Sequence, residues 1–314
     1  MDVVLLFPGQ GSQRVGMGKD LAAAFPAARE VFAEADATLG ESLSTLCYEG
    51  PDETLTLTSN AQPALLAHGA AVWAATRDAL SGSVRAAAGH SLGEFSAYHA
   101  AASLTLSAAV RLVRHRGDLM ARAGAERPGA MAAILGDLAE PIDAICAQAS
   151  QEPDGGVVVA ANYNSPGQVV ISGEVAGVEK AMTLCTRAGA RRTLRLNVSG
   201  AFHSPLMAPA SAGLALAIGN ADFRDPALPV FANVTADVVR DADTARRLCV
   251  EQLTAPVRWT DLVLRLAADY PAALYVEMGP GAVLTGLLKK IAPSLQTATC
   301  GTAADVEKLL ARVS

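Results

Sequence analysis

The sequence lacks the features that mark membrane-spanning, exported and nucleic-acid-binding proteins. No apolar run approaches the roughly 18 residues of a membrane-spanning helix, so we expect no membrane segment. The first residues carry no basic region, and the apolar run at residues 3–7 is too short for a signal peptide. With a formal net charge of −6 and no basic block among its 314 residues, the chain is not expected to bind nucleic acid.

Cysteine and histidine are scarce and scattered, which bears on disulfides and metal sites. The five histidines have no spacing typical of metal ligands, such as H-E-x-x-H, so we expect no bound metal. The cysteines form no C-x-x-C pair, and a dispersed, odd-numbered set is typical of reduced thiols in a cytoplasmic protein. These five residues are Cys47, Cys146, Cys185, Cys249 and Cys300.

The composition supplies a large globular core, because 51% of residues are hydrophobic and only 18% are charged. Apolar strand patterns alternate with helical patterns along most of the chain, which indicates an α/β fold with a mainly parallel sheet. From residue 130 to residue 196 the predicted order is instead β-α-β-β-α-β, the order of a ferredoxin-like unit. We therefore predict a large α/β-hydrolase-like domain, residues 1–125 and 199–314, with an inserted ferredoxin-like subdomain at residues 126–198.

The stretch around Ser91 has the pattern of a nucleophile elbow. A predicted strand at residues 84–88 leads directly into the sequence GHSLG at residues 89–93, and a helical pattern follows. In this arrangement of strand, sharp turn and helix, the glycines let the backbone pass close to its neighbours. The helix N-terminus then directs free N–H groups at negative charge that develops beside the serine. We interpret Ser91 as a nucleophile; an ordinary tight turn before a helix is the alternative.

A serine nucleophile needs a base to remove its proton, and histidine suits this role because its pKa lies near neutrality. His203 is the best candidate, since it lies in a glycine-flanked loop where the predicted insert rejoins the main domain. The side chain of His90 is expected to point away from Ser91, its neighbour in sequence. In a catalytic triad a third group orients the histidine. No acidic residue after His203 lies clearly at a strand end, so a carbonyl or an amide is left for this role, and Gln252 is one candidate.

Two further stretches carry residue types suited to binding an anion. The loop at residues 8–13 follows the first predicted strand, and an amide of Gln10 or Gln13 there is suited to holding an oxyanion; a plain turn is the favoured alternative. Arg116 and Gly117 lie inside a predicted helix. A glycine there costs about 1 kcal/mol relative to alanine, which indicates close approach of another segment or of a ligand. A solvated side chain is the alternative for Arg116.

Seven short motifs, in this order and spacing, closely resemble those of the malonyl-CoA:acyl carrier protein transacylases of fatty acid and polyketide synthesis. The resemblance covers essentially the whole chain and is far more specific than the elbow alone. The motifs are FPGQGSQ at residues 7–13, GHSLGE at 89–94, RGxxM at 116–120, GAM at 129–131, NSPGQ at 164–168, FHS at 202–204, and QL followed by PVRW within 252–259.

The resemblance implies ping-pong transfer of a malonyl group by way of an acylated serine. By this resemblance Ser91 is the acylated nucleophile and His203 its general base, and the two work as a dyad. Gln10 and the backbone N–H of Leu92 would form the oxyanion hole. Arg116 would pair with the free carboxylate of malonate, which a planar guanidinium can grip through two hydrogen bonds.

Two more residues take roles by the same resemblance. Gln252 lies where the family orients the histidine. Leu92 and Phe202 resemble the malonyl-selecting members, and the bulk of Phe202 would crowd a 2-methyl branch; simple core packing is the alternative for Phe202. The implied substrates are malonyl-CoA and the phosphopantetheine thiol of an acyl carrier protein, with no cofactor bound, and we expect a monomer.

Other acyltransferases, a hydrolase and an inactive subunit are the competing interpretations of the sequence. A trans-acting acyltransferase of polyketide synthesis and the acyltransferase of malonate decarboxylase would use the same residues. A serine thioesterase or hydrolase of the α/β-hydrolase type shares the elbow, but its histidine normally comes late in the chain, after an acidic residue. Over 100 residues follow His203 in this sequence. A catalytically inactive subunit that only docks the carrier would not need Ser91, His203 and Arg116 together.

Overall fold

Two β-sheets, one mainly parallel and one antiparallel, organise the computed structural model of this protein, which describes residues 1–313. Within those residues the chain forms ten strands and fourteen α-helices, with a short 3-10 helix at Pro205–Met207. The strands are β1 (Val3–Phe7), β2 (Val84–Gly89), β3 (Gly129–Leu135), β4 (Val158–Ser165), β5 (Gln168–Glu174), β6 (Arg192–Arg195), β7 (Val230–Phe231), β8 (Val238–Val239), β9 (Leu274–Met278) and β10 (Gln296–Cys300). The helices are α1 (Lys19–Ala24), α2 (Pro26–Leu39), α3 (Leu43–Glu49), α4 (Asp52–Leu55), α5 (Thr58–Thr76), α6 (Gly93–Ala100), α7 (Leu106–Glu126), α8 (Ile142–Gln151), α9 (Val175–Arg187), α10 (Ala208–Gly219), α11 (Ala242–Glu251), α12 (Trp259–Asp269), α13 (Val283–Ile291) and α14 (Ala303–Val313).

The larger sheet has the strand order β10-β9-β1-β2-β7-β8, with every pair parallel except β7 and β8. All residues of β1 are buried, and they divide between two apolar cores. Val3, Leu5 and Phe7 belong to one core, whereas Val4 and Leu6 belong to the other. A strand buried on both faces favours apolar residues along its whole length, so this central location explains the uninterrupted apolar run at residues 3–7.

The smaller sheet is antiparallel, with the strand order β4-β5-β3-β6. Along the chain its elements run β3-α8-β4-β5-α9-β6, and a third apolar core lies between this sheet and its two helices. The predicted α/β fold class, with a mainly parallel sheet and a ferredoxin-like unit, is confirmed. The limits drawn for the domains, 1–125 with 199–314 and 126–198, stay a prediction. Across the described residues, no helix is long and apolar enough to cross a membrane.

Two helices differ from the bounds that their sequences favour. Residues 21–39 are alanine-rich and have the pattern of one continuous helix, but the helix is divided at Phe25, which is extended with φ −120° and ψ 112°, and α2 begins at Pro26. A residue before proline is pushed out of the helical region, so the break follows from Pro26. The sequence NAQP at residues 60–63 favours a helix start there, with the proline early in the helix; α5 begins two residues earlier, at Thr58, and Pro63 lies inside it.

Candidate active site

The turn between β2 and α6 has the geometry of a nucleophile elbow, with only residues 90–92 between the two elements. A Cβ atom on Gly89 would lie 1.9 Å from the carbonyl group of Gly93, and one on Gly93 would lie 2.0 Å from the carbonyl oxygen of Phe7. Only glycine therefore fits at either position. Ser91 has a φ of 51°, a left-handed conformation that residues other than glycine rarely adopt. Such strain is typical of a functional turn and persists because the surrounding contacts hold it.

Ser91 and His203 meet, although they are far apart in the sequence. Ser91 Oγ lies 2.8 Å from His203 Nε2, and His203 Nδ1 lies 2.8 Å from the backbone carbonyl oxygen of Gln252. A carbonyl oxygen can only accept a hydrogen bond, so Nδ1 carries the ring proton and donates it there. Nε2 is then free to accept the hydroxyl proton of Ser91. The pair has the geometry of a nucleophile and its general base.

The protonation state of His203 is set by its surroundings. Burial and, second, the positive charge of Arg116 lower the pKa of His203 to about 3. The imidazole is therefore neutral near neutral pH, which is the form that a general base needs. The same burial that keeps the base uncharged also separates it from bulk water, since only 4% of His203 is exposed.

Arg116 is a buried cation whose hydrogen-bonding partners, within the described residues, include no carboxylate. Nη1 donates to Gln62 Oε1 at 2.7 Å, while Nη2 donates to Gln252 Oε1 at 2.9 Å and to Ser91 Oγ at 3.2 Å. Burial lowers the pKa of Arg116 only to about 10, so the guanidinium stays charged at neutral pH. The charge of the buried Glu94 acts on the guanidinium without a hydrogen bond between the two, so a ligand carboxylate can still bind Arg116 directly and offset the cost of its burial. Arg116 thus marks a place for an anion beside the serine.

Ser91, His203 and Arg116 line one cavity of about 470 Å³ between the two sheets. The elbow and Arg116 of α7 form one wall, β4 and β5 contribute polar and apolar side chains from the smaller sheet, and α13 closes another side. A cavity of this size with a few convergent polar groups is typical of a small-molecule site. Its apolar lining includes Met120, Met131, Val170, Leu196, Phe202, Val283, Leu284 and Leu287.

The structure places the residues predicted for the oxyanion hole at this cavity. Leu92 is the N-cap residue of α6, where backbone N–H groups lie at the positive end of the helix dipole. Gln10 lines the same cavity, and its side-chain amide donates to Thr58 Oγ1 at 3.1 Å. The Gln13 amide oxygen instead accepts from the Gly11 N–H within its own loop, at 2.7 Å. Of the two glutamines considered from the sequence, Gln10 is the one whose side chain reaches across to another segment.

Phe202 lies at the cavity wall and in the main apolar core at once, with 6% of its surface exposed. The two interpretations given for it from the sequence are thus compatible, because the same ring can pack in the core and limit the space beside the serine. Its role in substrate choice stays a prediction.

His90 extends toward the smaller sheet. Its Nε2–H donates to Asn164 Oδ1 at 2.8 Å, and its ring centroid lies 5.5 Å from that of Trp259. Burial lowers the pKa of His90, so this ring is neutral as well. The side chain lines the cavity together with Asn164, a contact between the elbow and β4 that sequence reasoning missed.

Asn233 is a second residue that sequence reasoning missed. Its Oδ1 accepts from the backbone N–H of Ser91 at 2.7 Å, and its Nδ2 donates to the Gly89 carbonyl oxygen at 2.7 Å. One side chain thus joins the last residue of β2 to the serine in the turn. A signal was present in the sequence, because Asn233 closely follows β7, and polar residues after parallel strands gather at the edge where ligands bind.

The chain is similar to acyl transferases along nearly its whole length. The sequence profile described as "Acyl transferase domain" matches residues 4–308. The malonyl CoA-acyl carrier protein transacylase of Bacillus subtilis (strain 168) is 46% identical over 296 residues, which is 94% of this chain and 92% of that protein. The malonyl CoA-acyl carrier protein transacylase of Escherichia coli (strain K12) is 44% identical over 290 residues, which is 92% of this chain and 93% of that protein.

Solved structures show the same backbone. A type II PKS acyl-carrier protein in complex with its malonyl-transacylase matches with a TM-score of 0.94 and 42% identity, covering 99% of this chain and 100% of that chain. An acyl-carrier-protein-S-malonyltransferase from Bartonella henselae matches with a TM-score of 0.93 and 40% identity, covering 100% of this chain and 99% of that chain. Both sheets are therefore part of a shared backbone architecture.

Proposed function

The chain belongs to the acyl transferase family, and on this premise we propose that it transfers a malonyl group from malonyl-CoA to the phosphopantetheine thiol of an acyl carrier protein. Relatives at 44–46% identity carry the name of this activity, and a structural neighbour is a malonyl-transacylase in complex with its carrier protein. The protein is an acyltransferase, and the transfer serves fatty acid or polyketide synthesis.

One observation supports the malonyl group above other acyl groups: the buried guanidinium of Arg116 lies 3.2 Å from the hydroxyl oxygen of Ser91. Malonyl differs from acetyl by one carboxylate, which is separated from the thioester carbon by a single methylene. An acyl chain attacked at its carbonyl by Ser91 therefore brings that carboxylate close to Arg116. A planar guanidinium can hold a carboxylate through two hydrogen bonds, and the pair is strong where water is excluded.

Acylation uses the pair of Ser91 and His203. His203 Nε2 takes the hydroxyl proton while Ser91 Oγ attacks the thioester carbon of malonyl-CoA. The carbonyl oxygen becomes an oxyanion, which the Leu92 N–H and Gln10 stabilise. The C–S bond then breaks, and the imidazolium returns its proton to the leaving sulfur of coenzyme A. A malonyl ester on Ser91 remains.

The second half-reaction retraces these steps with a different thiol. The phosphopantetheine thiol gives its proton to His203 Nε2, and its sulfur attacks the ester carbon on Ser91. The same two donors hold the new oxyanion. When the C–O bond breaks, the proton passes from His203 back to Ser91 Oγ, and the malonyl thioester leaves with the carrier protein. Exclusion of water by the buried site limits hydrolysis of the ester.

The intact mass of the protein after incubation with malonyl-CoA tests this proposal. We expect an increase of about 86 Da, located on Ser91 by peptide mapping and lost when a carrier-protein thiol is added. Ser91→Ala serves as the control and should gain no mass. An unmodified wild-type protein, or a malonyl group released to water as fast with the carrier as without it, would contradict the transferase assignment and favour a hydrolase.

The proposal also covers cofactor use and location. Malonyl-CoA and carrier-bound phosphopantetheine are the substrates, and we propose that no resident cofactor takes part, since the serine, the imidazole and the guanidinium supply nucleophile, base and counter-charge. We further propose a cytoplasmic location. All five cysteines are buried and unpaired, which is usual for proteins of a reducing compartment.

A further inference from the structure

Glu94 is a fully buried carboxylate beneath the elbow that the mechanism above does not use. It lies in the second residue position of α6, directly after the glycine that closes the turn. Its Oε2 accepts the backbone N–H of Asn233 at 2.9 Å and the side-chain Nε2–H of Gln252 at 2.7 Å. Its Oε1 makes no hydrogen bond of ordinary geometry within the described residues, and the buried hydroxyl of Tyr98 also interacts with the carboxyl group. A buried carboxylate is costly, so its presence behind a reacting serine needs an explanation.

The contact with Gln252 fixes which way that amide faces. Because Gln252 Nε2 donates to Glu94, the other end of the amide, Oε1, is left to accept from Arg116 Nη2 at 2.9 Å. If the amide were reversed, its N–H donors would face those of the guanidinium and its oxygen would face the carboxylate. Glu94 thereby determines how Arg116 is held. The backbone carbonyl of the same Gln252 accepts from His203.

The contact with Asn233 reaches the nucleophile by a second route. Glu94 holds the backbone of Asn233, whose side-chain oxygen accepts from the Ser91 N–H at 2.7 Å. Gln252 Nε2 also lies 3.1 Å from the Ser91 carbonyl oxygen. Both peptide groups of Ser91 are therefore held by residues that Glu94 binds. This arrangement supports the left-handed conformation of Ser91, which is unfavourable without such contacts.

We propose that Glu94 is a positioning residue for acyl transfer, whose Oε2 fixes Gln252 and Asn233 and through them the guanidinium of Arg116 and the backbone of Ser91. It touches neither the substrate nor the reacting atoms. The inference rests on the proposed function, because it assigns Glu94 to the same reaction.

The hydrogen-bond acceptor, more than the charge, is what this role requires. Burial raises the pKa of Glu94 to about 7, against the opposing effects of its hydrogen bonds with Asn233 and Gln252, of the charge on Arg116 and of the Tyr98 hydroxyl. A proton taken up on Oε1 leaves Oε2 free to accept from both donors. Glutamine at this position offers the same acceptor in a side chain of the same length, whereas aspartate keeps the charge but withdraws the oxygens by one methylene. Leucine fills similar space and accepts nothing.

The experiment compares Glu94→Gln, Glu94→Asp and Glu94→Leu with the wild-type enzyme. We expect kcat for malonyl transfer to fall about 100-fold in Glu94→Leu, the loss typical of a misplacement of about 1 Å, and to stay within about fivefold of wild type in Glu94→Gln. Glu94→Asp should lie between them. The preference for malonyl-CoA over acetyl-CoA should fall in the same order, because Arg116 loses its fixed partner. Ser96→Ala, a buried substitution on the same helix, is the matched control and should change neither quantity.

Thermal unfolding of each variant separates positioning from simple loss of structure. A folded Glu94→Leu enzyme with wild-type kcat and selectivity would overturn the proposal. If Glu94→Leu does not fold, the comparison of Glu94→Gln with Glu94→Asp decides: higher activity in Glu94→Asp would mean that charge is what matters and would equally overturn it. Failure of the wild-type enzyme to form a malonyl ester would instead contradict the proposed function, so the two failures are distinguishable.

Discussion

At the scale of single residues, the charge on Arg116 weakens the base. In the free enzyme that charge adds to burial, the larger cause, in lowering the pKa of His203 to about 3. A malonyl carboxylate bound to the guanidinium neutralises the charge on Arg116, which removes this second cause. Binding of the correct substrate should therefore raise the pKa of His203 and make it a better proton acceptor at the moment of attack.

This argument predicts different pH profiles for kcat/KM and for kcat. The acid limb of kcat/KM, which reports the free enzyme, should lie well below pH 6.5, and that of kcat, which reports the complex, should lie at higher pH. The measurement is the rate of malonyl transfer from pH 8 down to the pKa of His203, about 3. Acetyl-CoA is the matched control, because it carries no carboxylate and should leave the two limbs together. Coincident limbs with malonyl-CoA would show that Arg116 does not influence His203 in this way.

The second prediction at this scale concerns selectivity. Truncation of one member of a buried charge pair costs about 2–5 kcal/mol, or roughly 30- to 4,000-fold in preference. Arg116→Ala should lose malonyl selectivity by a factor in this range and gain acetyl turnover relative to malonyl turnover. Values of kcat/KM for both thioesters provide the test. Arg116→Lys keeps a charge but not the planar fork, so it should recover only part of the preference. An unchanged ratio in Arg116→Ala would rule out the role.

Residue types and motifs predict the reacting groups better than they predict the residues that hold those groups in position. Ser91, His203 and Arg116 lie around one cavity, and each was singled out because its chemistry is rare and its local sequence is distinctive. Asn233 and Glu94 were not. The position of Asn233 after β7 is a local signal, but the groups that Asn233 and Glu94 contact depend on β7 lying beside β2 in the sheet. That neighbourhood is created by pairing over more than 100 residues and leaves little trace in any local pattern.

At the scale of elements, local periodicity predicts the centres of helices and strands but not the contacts that set their ends. The α5 helix begins at Thr58, ahead of the predicted start, and α7 crosses its first turn. The edge strand β10 was missed because its sequence, QTATC, is half polar and only its last residue is fully buried. Strands buried on both faces, such as β1, have no such ambiguity.

The crossing of α7 over α5 predicts the effect of a methyl group at Gly117. A Cβ atom there would lie 2.8 Å from the Ser59 Cα and 2.8 Å from the Thr58 carbonyl oxygen, both backbone atoms. Alanine favours a helix by about 1 kcal/mol over glycine, yet overpacking of this kind costs about 1–3 kcal/mol. We expect Gly117→Ala to lower the free energy of unfolding, measured in urea, and to reduce malonyl transfer, because Arg116 is the adjacent residue.

Gly286 supplies the control for this prediction. It lies inside α13, and a Cβ atom there would meet nothing within 4 Å. Gly286→Ala should therefore raise the free energy of unfolding by about 0.4–1 kcal/mol, through helix propensity and a less flexible unfolded chain. If Gly117→Ala were as stabilising as Gly286→Ala, the two helices would have to be further apart than the structure places them.

At the scale of the whole molecule, the active site depends on both sheets. The elbow belongs to the larger sheet, while β4 of the smaller sheet contacts it through Asn164 and His90. The succession of most strands and helices along the chain was predictable because it follows local patterns, whereas the order of the strands within the larger sheet was not. The way in which the sheets face each other was not, since it is set by side chains that meet only in the folded chain.

The buried groups make the stability of the molecule depend on pH in a direction that can be worked out. Burial lowers the pKa values of four histidines, to about 4 for His68 and about 3 for His203, and in the same direction for His90 and His99. Below pH 6.5 the unfolded chain binds protons on these rings that the folded chain does not, so stability is lost as the pH falls. Glu94 acts in the opposite direction, because its pKa of about 7 means that the folded chain keeps a proton between pH 4.5 and 7 that the unfolded chain releases.

His68 and His203 alone outnumber Glu94, and His90 and His99 act in the same direction as these two histidines, so the free energy of unfolding should fall as the pH drops from 6.5 to 4.5. Each net proton contributes about 1.4 kcal/mol per pH unit. Urea unfolding at a series of pH values in this interval measures the slope. His68→Gln removes one of the four rings, at a site away from the cavity, and should reduce the slope by about one proton. A free energy of unfolding that is constant or rises toward pH 4.5 would mean that these histidine rings are not held neutral in the folded protein. That result would also contradict the neutral state assigned to His203 as a base.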